Sequence, residues 1–177
     1  RHGGGMAARD QGEALPMSAV TVVLLPDPSW TDRDQVAAEL VGRGVSVHVA
    51  PEVEVPAGVP DRVQASRRVA LLAMALNSEA VTGPVTLVAN GNTANLLPAL
   101  GYAQRAAHRL VHSYVLLDSP VPAPAQDWPD APVWWATGER LETTGADVSV
   151  TASKARLRGF EVFTGAPYVD VVELALG

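Results

Sequence analysis

Apolar and polar positions along the chain switch repeatedly between a period of two and a period near 3.6, which predicts strands and helices in alternation. From Ala19 to Leu25 the run AVTVVLL is continuously apolar and rich in β-branched residues, as in a strand buried on both faces of a parallel sheet. Pro26-Asp27-Pro28-Ser29 ends it, because two prolines cannot continue a central ladder. Thr31 or Asp32 can then cap a helix that carries Val36, Ala37 and Leu40 on one face and closes at Gly42 or Gly44. Val45 to Ala50 returns to the period of two: Val45, Val47 and Val49 share one face, Ser46 and His48 the other.

Beyond the proline-rich loop PEVEVPAGVP, Asp61 opens a helix expected to run through about Leu76, with Val63, Val69, Ala70, Ala73 and Leu76 on its buried side. Val85 to Ala89 reads as the third strand. The turn Asn90-Gly91-Asn92 follows it, and a helix is expected from about Thr93 to His108. Ser113 to Asp118 is the fourth strand, PVPAPAQDWPDAP a linker too proline-rich to fold alone, and Pro132 to Thr137 the fifth strand. GERLETTGADVS reads as a loop, roughly Val150 to Leu157 as a short helix, and Phe160 to Phe163 as the last strand. Tyr168 to Leu176 closes the chain as a helix with Val169, Val172, Leu174 and Leu176 apolar. Right-handed crossovers between such units predict the α/β class, a three-layer, doubly wound, mostly parallel six-stranded sheet. A length of 177 residues suits one core, so a single domain is expected over 19–177. Residues 1–18, RHGGGMAARDQGEALPMS, lack an apolar centre and read as a flexible leader, with Met6 or Met17 as natural starts.

Composition changes this picture mainly by exclusion. The formal charge of −6 is spread along the chain, and no basic run exceeds Arg67-Arg68, so no nucleic-acid partner is expected. Arg105, His108 and Arg109 fall late in a predicted helix, where they complement its negative end. Without cysteine there is no disulfide, thiolate nucleophile or thiolate-bound metal. No apolar run approaches the ~20 residues of a membrane span, so no membrane partner and a cytoplasmic location are expected. The first turn is PDPSW instead of a G-x-G-x-x-G, and no G-x-x-x-x-G-K-[ST] occurs, so no cofactor is expected. His48, His108 and His112 lack the spacing of a metal site, and none is expected. His48, in mid-strand, reads as a half-buried edge residue in preference to a base.

In a doubly wound sheet, ligands bind beyond the carboxyl ends of the strands, where the strand order reverses. With the first strand central, between the second and the third, the loops Pro26–Trp30 and Asn90–Thr93 meet at that point and predict a cleft. The candidate ligand-binding residues there are Pro26, Asp27, Asn90, Gly91, Asn92 and Thr93. The amides of Asn92 and Thr93, at a helix start, are placed to hold a carboxylate or carbonyl oxygen.

The order of elements resembles the α/β-hydrolase family from its third strand to its last helix, over nearly the whole chain after residue 18. LVANGNTANL is similar to the family's G-x-S-x-G nucleophile elbow, and LLP to the end of the strand that normally continues into His-Gly. SYVLLDSP resembles the following strand, APVWWATGERLE the strand and loop that carry the acid, and FEVFTGAPY the segment that ends in Gly-His. The resemblance implies a core lacking the family's first two strands and its lid.

Carried over by position, the resemblance also implies loss of the triad. The serine falls on Gly91, between Ala89 and Thr93, and the acid near Leu141, with Glu139 and Glu142 close by. The histidine falls on Pro167 or Tyr168, and His-Gly becomes Pro26-Asp27. Glu139 and Tyr168 thus join the candidate ligand-binding set, and catalytic residues are left unassigned. The expected function is a pseudo-hydrolase binding a small organic molecule or a protein partner. The alternative is a non-hydrolytic cyclase, lyase or isomerase with Asp27, Glu139 and Tyr168 as acids or bases and Asn90 and Asn92 as polarisers. The plainer alternative for ANGNT is a strand-to-helix turn of a flavodoxin-like fold, with Thr93 as the cap. Trp134 and Trp135 must point to opposite faces of their strand, and Trp30 and Trp128 fall in loops. Such aromatics mark either a homo-oligomer interface or packing under helices.

Overall fold

The computed structural model describes residues 19–79, 81–123, 128, 131–138 and 148–177. Six strands form one sheet in the order β2-β1-β3-β4-β5-β6, and every neighbouring pair is parallel. They are β1 (Thr21–Leu24), β2 (Ser46–Val49), β3 (Val85–Asn90), β4 (Val111–Leu117), β5 (Val133–Thr137) and β6 (Glu161–Thr164). Among the described residues, five α-helices cross between and after them: α1 (Arg33–Gly42), α2 (Asp61–Ser78), α3 (Leu97–Ala106), α4 (Val148–Leu157) and α5 (Tyr168–Leu176).

The period of two along the strands divides the core into two layers. Val23, Leu87, Tyr114, Leu116 and Trp135 face Leu72, Leu76, Leu97, Leu100 and Ala152, so α2, α3 and α4 cover one side. Val22, Leu24, Val88, Val115 and Leu117 face Val36, Leu40, Val169 and Val172, so α1 and α5 cover the other. The expected three-layer sheet is therefore present, with β3 buried at all six positions. Two hydroxyls in the middle of the sheet are satisfied internally: Thr86 Oγ1 lies 2.8 Å from Ser113 Oγ, and Ser113 Oγ donates to the Ala175 carbonyl at 2.9 Å. That bond ties the last turn of α5 to the sheet.

Several expectations need correction. The helix expected over 93–108 is a 3-10 turn at Gly91–Leu96 followed by α3, which starts only at Leu97. Pro98 supplies the reason, since its ring would collide with the carbonyl four residues earlier if an α-helix already ran through Thr93. In α2, Val63 and Ala70 are exposed, and Leu72 with Leu76 makes the buried contact. In α5, Leu174 is exposed while Val171 and Ala175 are buried. Both errors come from an apolar stripe read a fraction of a turn off.

His48 lies on edge strand β2 with Nε2 3.0 Å from Glu79 Oε2, an ion-pair distance to the end of α2. Trp30 and Trp135 are buried, Trp134 stacks on Phe163 at 5.6 Å, and Trp128 packs edge-on against Tyr114 and Phe160. Among the described residues, no helix is long and apolar enough to cross a membrane.

Candidate functional site

The strand order reverses between β1 and β3, as expected, and the loops after these strands meet there. The first is a tight turn in which the Trp30 amide donates to the Asp27 carbonyl at 3.0 Å. Asp27 Oδ1 accepts the Ser29 amide at 2.8 Å and the Ser29 hydroxyl at 2.6 Å, so the carboxylate fixes the loop that contains it. Trp30 is buried at the end of the turn and anchors it to the α1 side of the core. Asn90 is the last residue of β3 and is buried, so it is not the loop residue expected, and Ser29 Oγ lies 3.4 Å from its Oδ1.

The two loops are joined through Asp27. Its Oδ2 accepts the Thr93 amide at 3.0 Å and lies 2.8 Å from Thr93 Oγ1, whose single hydrogen is also in reach of the Pro26 carbonyl at 2.9 Å. The Thr93 amide, expected to hold a ligand oxygen, is thus already occupied by the protein's own carboxylate. Burial raises the Asp27 carboxyl, but the hydrogen bonds from Ser29 and Thr93 together outweigh it and hold the group below its ordinary 3.8.

A depressed carboxyl contributes stability that is fully present above its unfolded-state value and disappears as pH falls through the lower folded-state value. The stability advantage of the wild type over Asp27→Ala is therefore expected to be constant above 3.8 and to vanish in stronger acid. Urea midpoints of both proteins, measured across that range, test this. A difference that persists unchanged in acid would contradict it.

Gly91, at the turn between β3 and the 3-10 segment, has φ +60, a left-handed conformation that glycine adopts freely. A Cβ built there would stand 2.6 Å from Ser29 Oγ and 3.2 Å from Asp27 Oδ1. Backbone conformation and the neighbouring loop thus both favour glycine, and Ser29 fills the space next to it.

Above this junction lies an open cleft of about 590 Å³. Its floor includes Asp27, Ser29, Gly91, Asn92 and Thr93, and α2 forms a wall with Asp61, Gln64 and Arg68. Leu96, Asp118 and Pro120 complete the far side. Pro26 lies in an adjoining hollow of about 220 Å³ with Val53 and Leu72. Tyr168 does not line either space. Its ring packs on Gly138, where an added Cβ would come within 3.1 Å, and the Gly138 amide donates to Asp118 Oδ1 at 2.8 Å. Glu139 lies outside the described residues, as do Leu141, Glu142 and the expected leader. Among the described residues no group of three or more His, Asp or Glu could hold a metal ion.

Sequence reasoning missed Ser29, Asp61, Gln64, Arg68 and Asp118. Ser29 was legible as the partner of an Asp two residues earlier, the pattern of an Asx turn. Asp118 was legible as a carboxylate directly at the carboxyl end of a strand beside the reversal point. It has φ 45, and a non-glycine residue held left-handed next to a cleft carries backbone strain on the order of 1–3 kcal/mol. The contribution of α2 depends on how far that helix leans over the sheet, which no local pattern encodes.

No family model matches the chain, and no curated protein matches its sequence. Among solved structures it is similar to a putative hydrolase of the alpha/beta superfamily from Xanthomonas campestris pv. campestris. The TM-score is 0.58 with 12% identity, over 89% of this chain and 95% of that one. It is also similar to a protein of unknown function from Agrobacterium tumefaciens str. C58, with TM-score 0.47 and 17% identity over 91% of this chain and 90% of that one. The first likeness, together with the six parallel strands, shows an α/β-hydrolase-like fold.

Proposed function

We propose that the chain uses this fold without its hydrolytic chemistry and binds a small organic molecule, or a segment of a protein partner, in the cleft at the strand reversal. The observation that carries the reading is Gly91: it has no side chain where the resemblance places the nucleophile, and its φ of +60 and the 2.6 Å approach of Ser29 Oγ to a built Cβ make a side chain there costly. Pro167 and Tyr168 at the histidine position agree with it, because a triad acts as a unit and loses its function when members are missing. Asp27 supports binding over acid–base catalysis in the same cleft. A carboxylate held below its ordinary value by hydrogen bonds from Ser29 and Thr93 is a weak base.

Purified protein is expected to give no steady-state turnover of p-nitrophenyl acetate or butyrate above the level of the Asp27→Ala variant. Turnover that disappears in Asp27→Asn or Ser29→Ala would overturn the reading.

A further inference from the structure

The hollow beside the first loop has an apolar floor and a charged rim. Val53 packs on the core with Leu72, which is 1% exposed, and Pro26 and Pro28 complete the floor on the β1 side. Glu52 and Glu54, on either side of Val53 in the chain, are exposed at the rim. Arg68 joins them from α2. It lies four residues before Leu72 and therefore one turn nearer the helix start on the same face.

These rim charges differ from those in the main cleft in being uncommitted. Asp27 also lines the hollow, but its two oxygens already meet the amides and hydroxyls of Ser29 and Thr93, which fills the about four acceptor positions of a carboxylate. Among the described residues, Glu52, Glu54 and Arg68 have no hydrogen-bond or ion-pair partner. Opposite charges that line one space without pairing are matched together only by a ligand that carries both. A lone anion would meet Arg68 but also three carboxylates, and a lone amine would leave Arg68 without a counter-charge. The volume of about 220 Å³ is that of roughly seven waters at ~30 Å³ each, below the ~300–1,000 Å³ of a drug-sized site. It holds one small molecule.

We infer that this hollow binds a free α-amino acid with an apolar side chain: the ammonium faces Glu52 and Glu54, the carboxylate pairs with Arg68, and the side chain lies over Val53 and Leu72. This rests on the binding reading above and specifies its ligand class. Arg68 also lines the main cleft, so the ligand's carboxylate sits at the opening between the two spaces.

The test titrates ¹⁵N-labelled protein with L-leucine, leucinamide, N-acetyl-leucine and glycine at about pH 6.5, below the ~7.7 of an α-amino group. L-Leucine is expected to shift the Val53 and Glu54 resonances saturably. Leucinamide lacks the carboxylate and N-acetyl-leucine the ammonium, and each is expected to bind about three- to five-fold more weakly, the size of one ion pair at an exposed rim. Glycine, without the side chain, is expected to bind about ten-fold more weakly. Arg68→Gln should abolish the preference for leucine over leucinamide, and Glu52→Gln combined with Glu54→Gln the preference over N-acetyl-leucine. All three side chains are exposed, so urea midpoints of these variants should match the wild type. Equal binding of either leucine derivative or of glycine, or a preference that survives the matching variant, overturns the inference. Absence of shifts with L-leucine also overturns it, whereas ester turnover that depends on Ser29 overturns the non-hydrolytic reading instead.

Discussion

Replacing Gly91 by serine is expected to destabilise the protein by about 2–4 kcal/mol and to create no esterase. Holding a non-glycine residue in the left-handed region costs on the order of 1–3 kcal/mol. The new Cβ would also stand 2.6 Å from Ser29 Oγ, so Ser29 must swing away and lose its bond to Asp27, worth about 1 kcal/mol at a partly exposed site. Gly44 separates the two costs. It has φ +82 but nothing within 4 Å of a built Cβ, so Gly44→Ala should show the conformational cost alone. Urea denaturation should give a larger midpoint shift for Gly91→Ala than for Gly44→Ala at an unchanged slope. Combining Gly91→Ser with Ser29→Gly should recover the steric part. Equal shifts for the two alanine variants would mean that the β1 loop yields freely and that the elbow is not closed.

The sequence made Gly91 visible because the elbow motif has a fixed place between a strand and a helix. It could not make Ser29 visible as the group filling that place, since Ser29 and Gly91 lie on loops far apart in the chain and their approach depends on how the Asp27 turn is folded. The same distinction runs through the fold. Strand identity followed from β-branched runs, and parallel pairing from right-handed crossovers, which are local chemistry and general chirality. The start of α3 did not follow from the apolar pattern, because one proline overrode a helical period that continues through Thr93 to Leu97. Pairwise contacts between loops decide what the site can hold. Asp27 was legible as a turn residue between prolines, but its capture of the Thr93 amide turns an expected oxygen-binding site into an acceptor surface.

Trp134 and Trp135 test the same distinction by energy. The sequence requires only that they point to opposite faces, whereas the structure makes them unequal. Trp135 is 1% exposed among the residues under α2, α3 and α4, and its Nε1 donates to the Ser119 carbonyl at 3.0 Å. Trp134 is half-buried and stacks on Phe163 of edge strand β6 with the rings 12° from parallel. Trp135→Ala is expected to cost about 3–5 kcal/mol, because both the cavity and the unpaired Ser119 carbonyl count against it. Trp134→Ala is expected to cost about 1–2 kcal/mol, from partial area and one stacked pair. Thermal or urea unfolding of the two variants reads the difference directly, and equal losses would contradict the layer assignment. Trp135 also walls a hollow of about 310 Å³ that it shares with Asn92 and Pro120, so its substitution reaches the cleft as well. Trp135→Phe keeps an aromatic ring in the core and should cost less stability than the alanine, yet it removes the Nε1 that fixes Ser119 beside Pro120 at the rim.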